Sequence, residues 1–200
     1  MTRGRIGIIG GTFDPPHFGH LAAAEEARHR LGLGRLLWMV SRTPPHKRDS
    51  VVTAAEHRLQ MAKLATRDNP AYEVGEAELL REGPSYTVDT LNGLRLENPD
   101  HDLIFFIGSD EFATLPTWHR AVEVTRLAHL AVLLRYGFKL NPALIEAALP
   151  AVRGRYSVVP VPDLPISSSE LRERVRQGLP LRYLVPEPVR EYIDANALYR

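Results

Sequence analysis

A chain of 200 residues without a single cysteine excludes disulfides, cysteine-ligated iron–sulfur centres and thiol catalysis. Its 44% hydrophobic content is enough to bury one sizeable core, and no apolar stretch nears the roughly 20 residues that span a bilayer. A formal net charge of +1 gives no global pull toward nucleic acid, so the positive charge that matters is local. Met1 to Arg5 runs straight into a short strand without a signal-peptide core, which predicts a cytoplasmic protein.

The first predicted strand is Ile6 to Ile9. It is followed by Gly10-Gly11-Thr12-Phe13-Asp14-Pro15-Pro16-His17-Phe18-Gly19-His20 and then by a helical pattern, Leu21 to Leu31. A strand-to-helix junction of this kind suits an anion. Amides at a helix N-terminus lack intrahelical partners, the macrodipole places about half a positive charge there, and glycines admit a ligand to the main chain. His17 and His20 can face the same anion. Plainer readings exist: Gly10-Gly11 as an ordinary tight turn, or His17, His20 and Asp14 as a metal ligand set. Against the metal stand the missing cysteines and the lack of another close histidine–carboxylate pair. No Walker lysine follows the glycines, and Gly7-Ile8-Ile9-Gly10-Gly11 is not the dinucleotide fingerprint.

Gly32 and Gly34 stop the first helix, and Leu36 to Val40 reads as a buried strand. The Pro-rich loop after it carries Arg42, His46, Lys47 and Arg48. Thr53 with Glu56 forms a capping box opening a helix that runs to about Asp68. Leu103 to Ile107, Leu130 to Leu134 and Tyr156 to Val161 are further strands, and Trp38, inside the second strand, belongs to the core. Ser167 with Glu170 forms a second capping box, opening a helix that Gly178 ends, and Pro186 to Arg200 reads as a helix followed by a tail. The alternation predicts an α/β protein: a doubly wound, mostly parallel sheet with helices on both faces. The expectation is a single domain over residues 1–200, with the helices from about 166 to 200 packed as a small subdomain. Ligands of such sheets lie beyond the carboxyl ends of the strands. The loops at Gly10–His20, Ser41–Lys47, Gly108–Glu111 and Pro165–Ser169 should therefore form one mouth.

Several of these segments carry a resemblance. Gly10 to His20 resembles the GxFxPxHxGH signature of the nucleotidylyltransferase superfamily. Ile166-Ser167-Ser168-Ser169-Glu170-Leu171-Arg172 resembles its ISSTxxR signature, with Ser169 keeping the hydroxyl of the usual threonine. Pro84-Ser85-Tyr86-Thr87-Val88-Asp89-Thr90-Leu91, Gly108-Ser109-Asp110 and Leu115-Pro116-Thr117-Trp118-His119 look like the bacterial nicotinate mononucleotide adenylyltransferases. The resemblance runs from about Gly10 to Arg172. It implies a Rossmann-like enzyme that transfers AMP from ATP to nicotinate mononucleotide, giving deamido-NAD and pyrophosphate in NAD biosynthesis.

The resemblance also implies roles. His17, His20 and Arg172 would be catalytic, with His20 at the α-phosphate. Gly10, Gly11, Thr12 and Phe13 would join them around ATP. Gly108 and Asp110 would hold the ribose, and Ile166, Ser167, Ser168 and Ser169 would present hydroxyls and amides to the triphosphate. Thr43, His46, Lys47 and Ser85 would line the acceptor side. There Tyr86 and Thr87 would contact the carboxylate end, and Trp118 would stack on the pyridine ring. Mg²⁺ is expected to arrive with ATP rather than on protein ligands. The expected partners are ATP and nicotinate mononucleotide, without nucleic acid or membrane, and homo-oligomerisation is left open. Because the acceptor phosphate has its second pKa near about 6, it is mostly a dianion at neutral pH and no side chain must act as its base. Alternatives are a sister transferase using nicotinamide mononucleotide, phosphopantetheine or glycerol phosphate, a metal-dependent phosphohydrolase built on His17, His20 and Asp14, or a non-catalytic nucleotide sensor.

Overall fold

The computed structural model describes residues 4–42, 53–81, 83–134, 137 and 139–200. β1 (Gly4–Gly11) leads through α1 (Phe18–Arg30) to β2 (Leu36–Val40), and α2 (Ala55–Thr66) leads to β3 (Tyr72–Gly75). After α3 (Thr87–Glu97) comes β4 (His101–Gly108), and then α4 (Ser109–Thr114) and α5 (Ala121–Leu127) deliver the chain to β5 (His129–Leu134). α6 (Pro142–Ala148), β6 (Tyr156–Pro160), α7 (Ser168–Arg176) and α8 (Glu187–Ala195) follow.

The strands lie in the order β3-β2-β1-β4-β5-β6, and every pairing is parallel. This is the doubly wound sheet that the alternation of elements predicts. Its winding reverses between β1 and β4, the switch point at which a crevice opens beyond the strand ends. β2 is buried along its whole length and β4 from Leu103 to Ile107, because strands covered on both faces bury every side chain and so read as unbroken apolar runs. On one face Ile6, Ile8, Phe105 and Ile107 pack with Val88, Leu91 and Leu94 of α3. On the other, Ile9, Trp38 and Phe106 pack with Ala24 and Ala27 of α1 and Leu59 and Ala62 of α2. A third cluster joins Met61 of α2 to Leu171 of α7 and to Val189 and Ile193 of α8. Among the described residues no helix is long and apolar enough to cross a membrane.

Local details depart from the sequence-based expectations in instructive ways. Gly10 and Gly11 are not a turn: they complete β1, in register with Met39 and Val40 of β2. α1 starts at Phe18, so His17 is its N-cap and both histidines belong to its opening turn. The Thr53–Glu56 capping box does not form. The cap of α2 is Ala54, without a side-chain bond. Instead the Thr53 N–H donates to Asp14 at 3.2 Å and its carbonyl accepts from Arg58 at 2.8 Å, so distant partners replace the local pair. Ser167 does cap α7, accepting the Glu170 N–H at 3.2 Å, and Gly178 ends that helix at φ +69°. β3 escaped the sequence reading because it is four residues long and half-exposed, with Glu73 paired to Arg35.

Candidate active site

The mouth begins where β1 ends. A Cβ on Gly11 would lie 2.8 Å from the Phe13 ring, so glycine at the last position of β1 leaves room for that ring to pack back against the strand end. Phe13 has φ 49° and is buried, packed 5.0 Å from Trp38 with its ring edge-on to His20 at 5.4 Å. The His17 and His20 rings stack at 3.7 Å, and His20 Nδ1 accepts the His17 N–H at 3.3 Å. With Nδ1 occupied as an acceptor, the neutral imidazole of His20 carries its proton on Nε2. The two histidines are thus unequal: His20 lines the cavity, whereas His17 is only 4% exposed and lies behind it.

The serine motif meets this loop from the far end of the sequence. Ser168 Oγ donates to the Pro15 carbonyl at 2.8 Å, and Arg172 donates to the Asp14 carbonyl at 2.8 Å and to Ser169 Oγ at 3.2 Å. Of the predicted segment, Ser168 and Arg172 line the cavity. Ser167 serves as the helix cap, and Ile166 packs against the third core cluster. The Ser168 hydroxyl therefore organises the loop, the Glu170 amide is capped by Ser167, and the Ser168 and Ser169 amides, which have no intrahelical acceptor, are placed to meet an anion. Across the crevice, Gly108 caps α4, and a Cβ there would lie 2.7 Å from Asp110 Oδ1. Gly10, Gly11, Thr12, Gly108 and Asp110 all line the cavity, whose volume is about 760 Å³.

The opposite end is built from α3 and the turn after α4. Ser85, Tyr86, Thr87 and Trp118 line it, together with His119. Tyr86 caps α3 and lies against His119 at 4.3 Å. Trp118 stands edge-on to Phe105 at 6.4 Å, and its buried indole N–H finds no acceptor among the described residues. Thr43, His46 and Lys47 lie outside the described residues. Arg42 turns away from the mouth: its guanidinium donates to the carbonyls of Arg81 and Leu79, and its backbone N–H to Ser85 Oγ.

Three residues that sequence reasoning did not assign hold the site together. Arg58 of α2 is 1% exposed and donates to the carbonyls of Thr12, Ser41, Arg42 and Thr53, tying the loops after β1 and β2 to one guanidinium. Burial pulls it below the ordinary guanidinium range. Glu78 lines the α3 end of the cavity and accepts from Thr90 Oγ1 at 2.7 Å, and burial pushes its carboxyl up. Tyr199, from the segment after α8, donates to Asp14 at 2.7 Å. An apolar helix face around an unexpected arginine at position 58 was the one available signal; Glu78 and Tyr199 carried none. Among the described residues no three His, Asp or Glu side chains are grouped so as to hold a metal ion.

Comparison with known proteins agrees with this geometry. The cytidylyltransferase-like family matches residues 8–174. A protein of Thermomicrobium roseum is 44% identical over 98% of this chain and 92% of its own, and one of Moorella thermoacetica is 45% identical over 100% and 94%. Both bear the name "Probable nicotinate-nucleotide adenylyltransferase". The solved structure of Plasmodium falciparum nicotinic acid mononucleotide adenylyltransferase complexed with NaAD superimposes with a TM-score of 0.79 at 20% identity, covering 98% of this chain and 97% of that one. A switch-point crevice closed by a histidine loop and a serine helix, found in a chain so similar over its whole length to these relatives, places it in the nicotinate-nucleotide adenylyltransferase family.

Proposed function

We propose that the cavity binds ATP against the His20 and α7 end and nicotinate mononucleotide against the α3 and Trp118 end, and joins them by one direct displacement. The observation that carries this is the placement of both sets of residues around a single cavity of about 760 Å³ at the switch point. A phosphate oxygen of the acceptor forms a bond to the α-phosphorus of ATP. The bond from that phosphorus to the oxygen bridging to the β-phosphorus breaks, and pyrophosphate departs with the electron pair. No covalent enzyme intermediate forms and no base is needed, since the acceptor is already a dianion.

The chain's part is to position two anions and to offset charge that spreads over the phosphoryl oxygens in the transition state. His20 Nε2–H donates to the α-phosphate, held in place by its bond from the His17 N–H. Arg172 and the opening amides of α7 cover the remaining phosphates. Mg²⁺, arriving with ATP, supplies further neutralisation of the leaving pyrophosphate. Asp14, whose carboxylate already accepts from Thr53 and Tyr199, belongs to the scaffold of the loop.

Selectivity for the acid over the amide follows from the acceptor end. The opening amides of α3, at Thr87 and Val88, point from a helix N-terminus and match a carboxylate better than a carboxamide. Stacking of Trp118 on the electron-poor ring is worth about 0.5–1.5 kcal/mol beyond area burial. Trp118→Ala should therefore raise KM for nicotinate mononucleotide by about 2- to 10-fold and leave KM for ATP close to its original value. Initial rates with each substrate varied in turn give both constants; equal increases would place the tryptophan elsewhere than on the pyridine.

A further inference from the structure

Asp14 sits in the middle of the histidine loop at the cavity wall, yet it is only 2% exposed. Its two carboxylate oxygens are divided between distant parts of the chain: Oδ1 accepts the Tyr199 hydroxyl at 2.7 Å, and Oδ2 accepts the Thr53 N–H at 3.2 Å and lies 3.9 Å from the Arg172 guanidinium. Its main-chain carbonyl takes the Arg172 guanidinium at 2.8 Å, and the Pro15 carbonyl takes Ser168. The loop bearing His17 and His20 is thus pinned by α2, α7 and the segment beyond α8.

That last segment is shaped to deliver the phenol. After α8, the Ala197 N–H donates to Asp194 and the Leu198 N–H to Ile193, a paired closure that turns the chain back on the helix. Ala197 has φ 49° and Tyr199 φ 68°, a region that residues other than glycine rarely adopt, so their surroundings must hold them there. Leu198 and Tyr199 pack on the cluster of Met61, Val189 and Ile193, and the hydroxyl reaches past Met61 Sδ at 3.7 Å to Asp14.

We propose that Tyr199 is a positioning residue for the transfer reaction. Its hydroxyl fixes the Asp14 carboxylate, and through Asp14 it sets both the turn that presents His20 and the carbonyl that aims Arg172. Burial, together with the neighbouring Asp14 carboxylate, holds the phenol well above its usual range, so it remains an O–H donor wherever the enzyme works. The inference rests on the transferase reading above and goes beyond it by giving the segment after α8 a part in the chemistry.

The test compares initial rates of the full chain with Mg-ATP and nicotinate mononucleotide across Tyr199→Phe, Asp14→Ala, the double variant and Val189→Ala. Val189→Ala loosens the same apolar cluster without touching Asp14. Tyr199→Phe is expected to lower kcat by about 10- to 100-fold, the scale of a small misplacement of catalytic groups, with KM for either substrate changed by less than about threefold. In the Asp14→Ala background the same change should cost less than about twofold more, because the two act through one another. Val189→Ala should lose thermal stability and keep kcat. An unaltered kcat in Tyr199→Phe, full multiplication of its loss with that of Asp14→Ala, an equal loss in Val189→Ala, or failure of Tyr199→Phe to fold would each overturn the proposal. Absence of pyrophosphate release from the unaltered protein would instead strike the transferase reading.

Discussion

Replacing His20 with alanine is expected to lower kcat by about 10²- to 10³-fold, the effect of removing one donor aimed at transition-state charge, while KM for ATP stays nearly constant. The asymmetry follows from how the ring is held. His20 Nδ1 is occupied by the His17 N–H at 3.3 Å, its face lies on His17, and its edge meets Phe13, so Nε2–H is fixed before substrate arrives. A donor fixed in advance costs no reorganisation as charge develops, and it contributes more to the transition state than to ground-state binding. Steady-state kinetics of His20→Ala check this directly. A variant that kept kcat and lost only affinity for ATP would make His20 a ground-state phosphate ligand, and the proposed role would fall.

Arg58→Met is expected to cost about 2–4 kcal/mol of folding stability, read as a shift of the urea midpoint at unchanged m-value. The methionine fills much of the same space, so the cavity term is small. What is lost is the guanidinium that serves the carbonyls of Thr12, Ser41, Arg42 and Thr53 at 2.6–3.0 Å. Arg58→Lys should recover less than half of the loss, because an ammonium is a point donor and cannot span carbonyls arriving from separate loops. A change below about 0.5 kcal/mol for Arg58→Met, the range of an ordinary surface substitution, would show that the loops after β1 and β2 hold together without it. Those loops carry Thr12 and Ser41 into the mouth, so the same buried arginine links the stability of the fold to the shape of the site.

How far each part could be read from residues alone depended on the range of the interactions involved. The buried strands were legible because complete burial on both faces leaves an unbroken apolar run, as in Leu36–Val40 and Leu103–Ile107. The cap at Ser167 was legible because its bond to the Glu170 N–H is local. Thr53 misled for the opposite reason: its partners are Asp14 and Arg58, and a tertiary contact displaced the box that Thr53 and Glu56 would otherwise form. β3 and α3 are not legible in the sequence, the first because four half-exposed residues hold too little periodicity, the second because its cap, Tyr86, is not a capping residue type and makes no side-chain cap bond. The motif segments meet around one crevice, but which of their residues line it required coordinates: His20, Ser168 and Arg172 do, and His17, Ile166, Ser167 and Ser169 do not. His17 lies behind His20, Phe13 packs against it, and of the serine hydroxyls it is Ser168's that ties down the loop. Arg42 shows the same limit for charge: it sits in a basic run, yet it closes on the carbonyls of Leu79 and Arg81.

The most direct measurement is pyrophosphate release by the purified protein with Mg-ATP alone and, in separate reactions, with nicotinate mononucleotide, nicotinamide mononucleotide or phosphopantetheine. Release that depends on an acceptor, with the highest kcat/KM for nicotinate mononucleotide, is the predicted result: on the proposed reading the opening amides of α3 favour a carboxylate, and the His20 end binds ATP whichever acceptor is present. Equal or faster reaction with nicotinamide mononucleotide would contradict the reading of Thr87 and Trp118. Breakdown of ATP without any acceptor would contradict direct transfer itself.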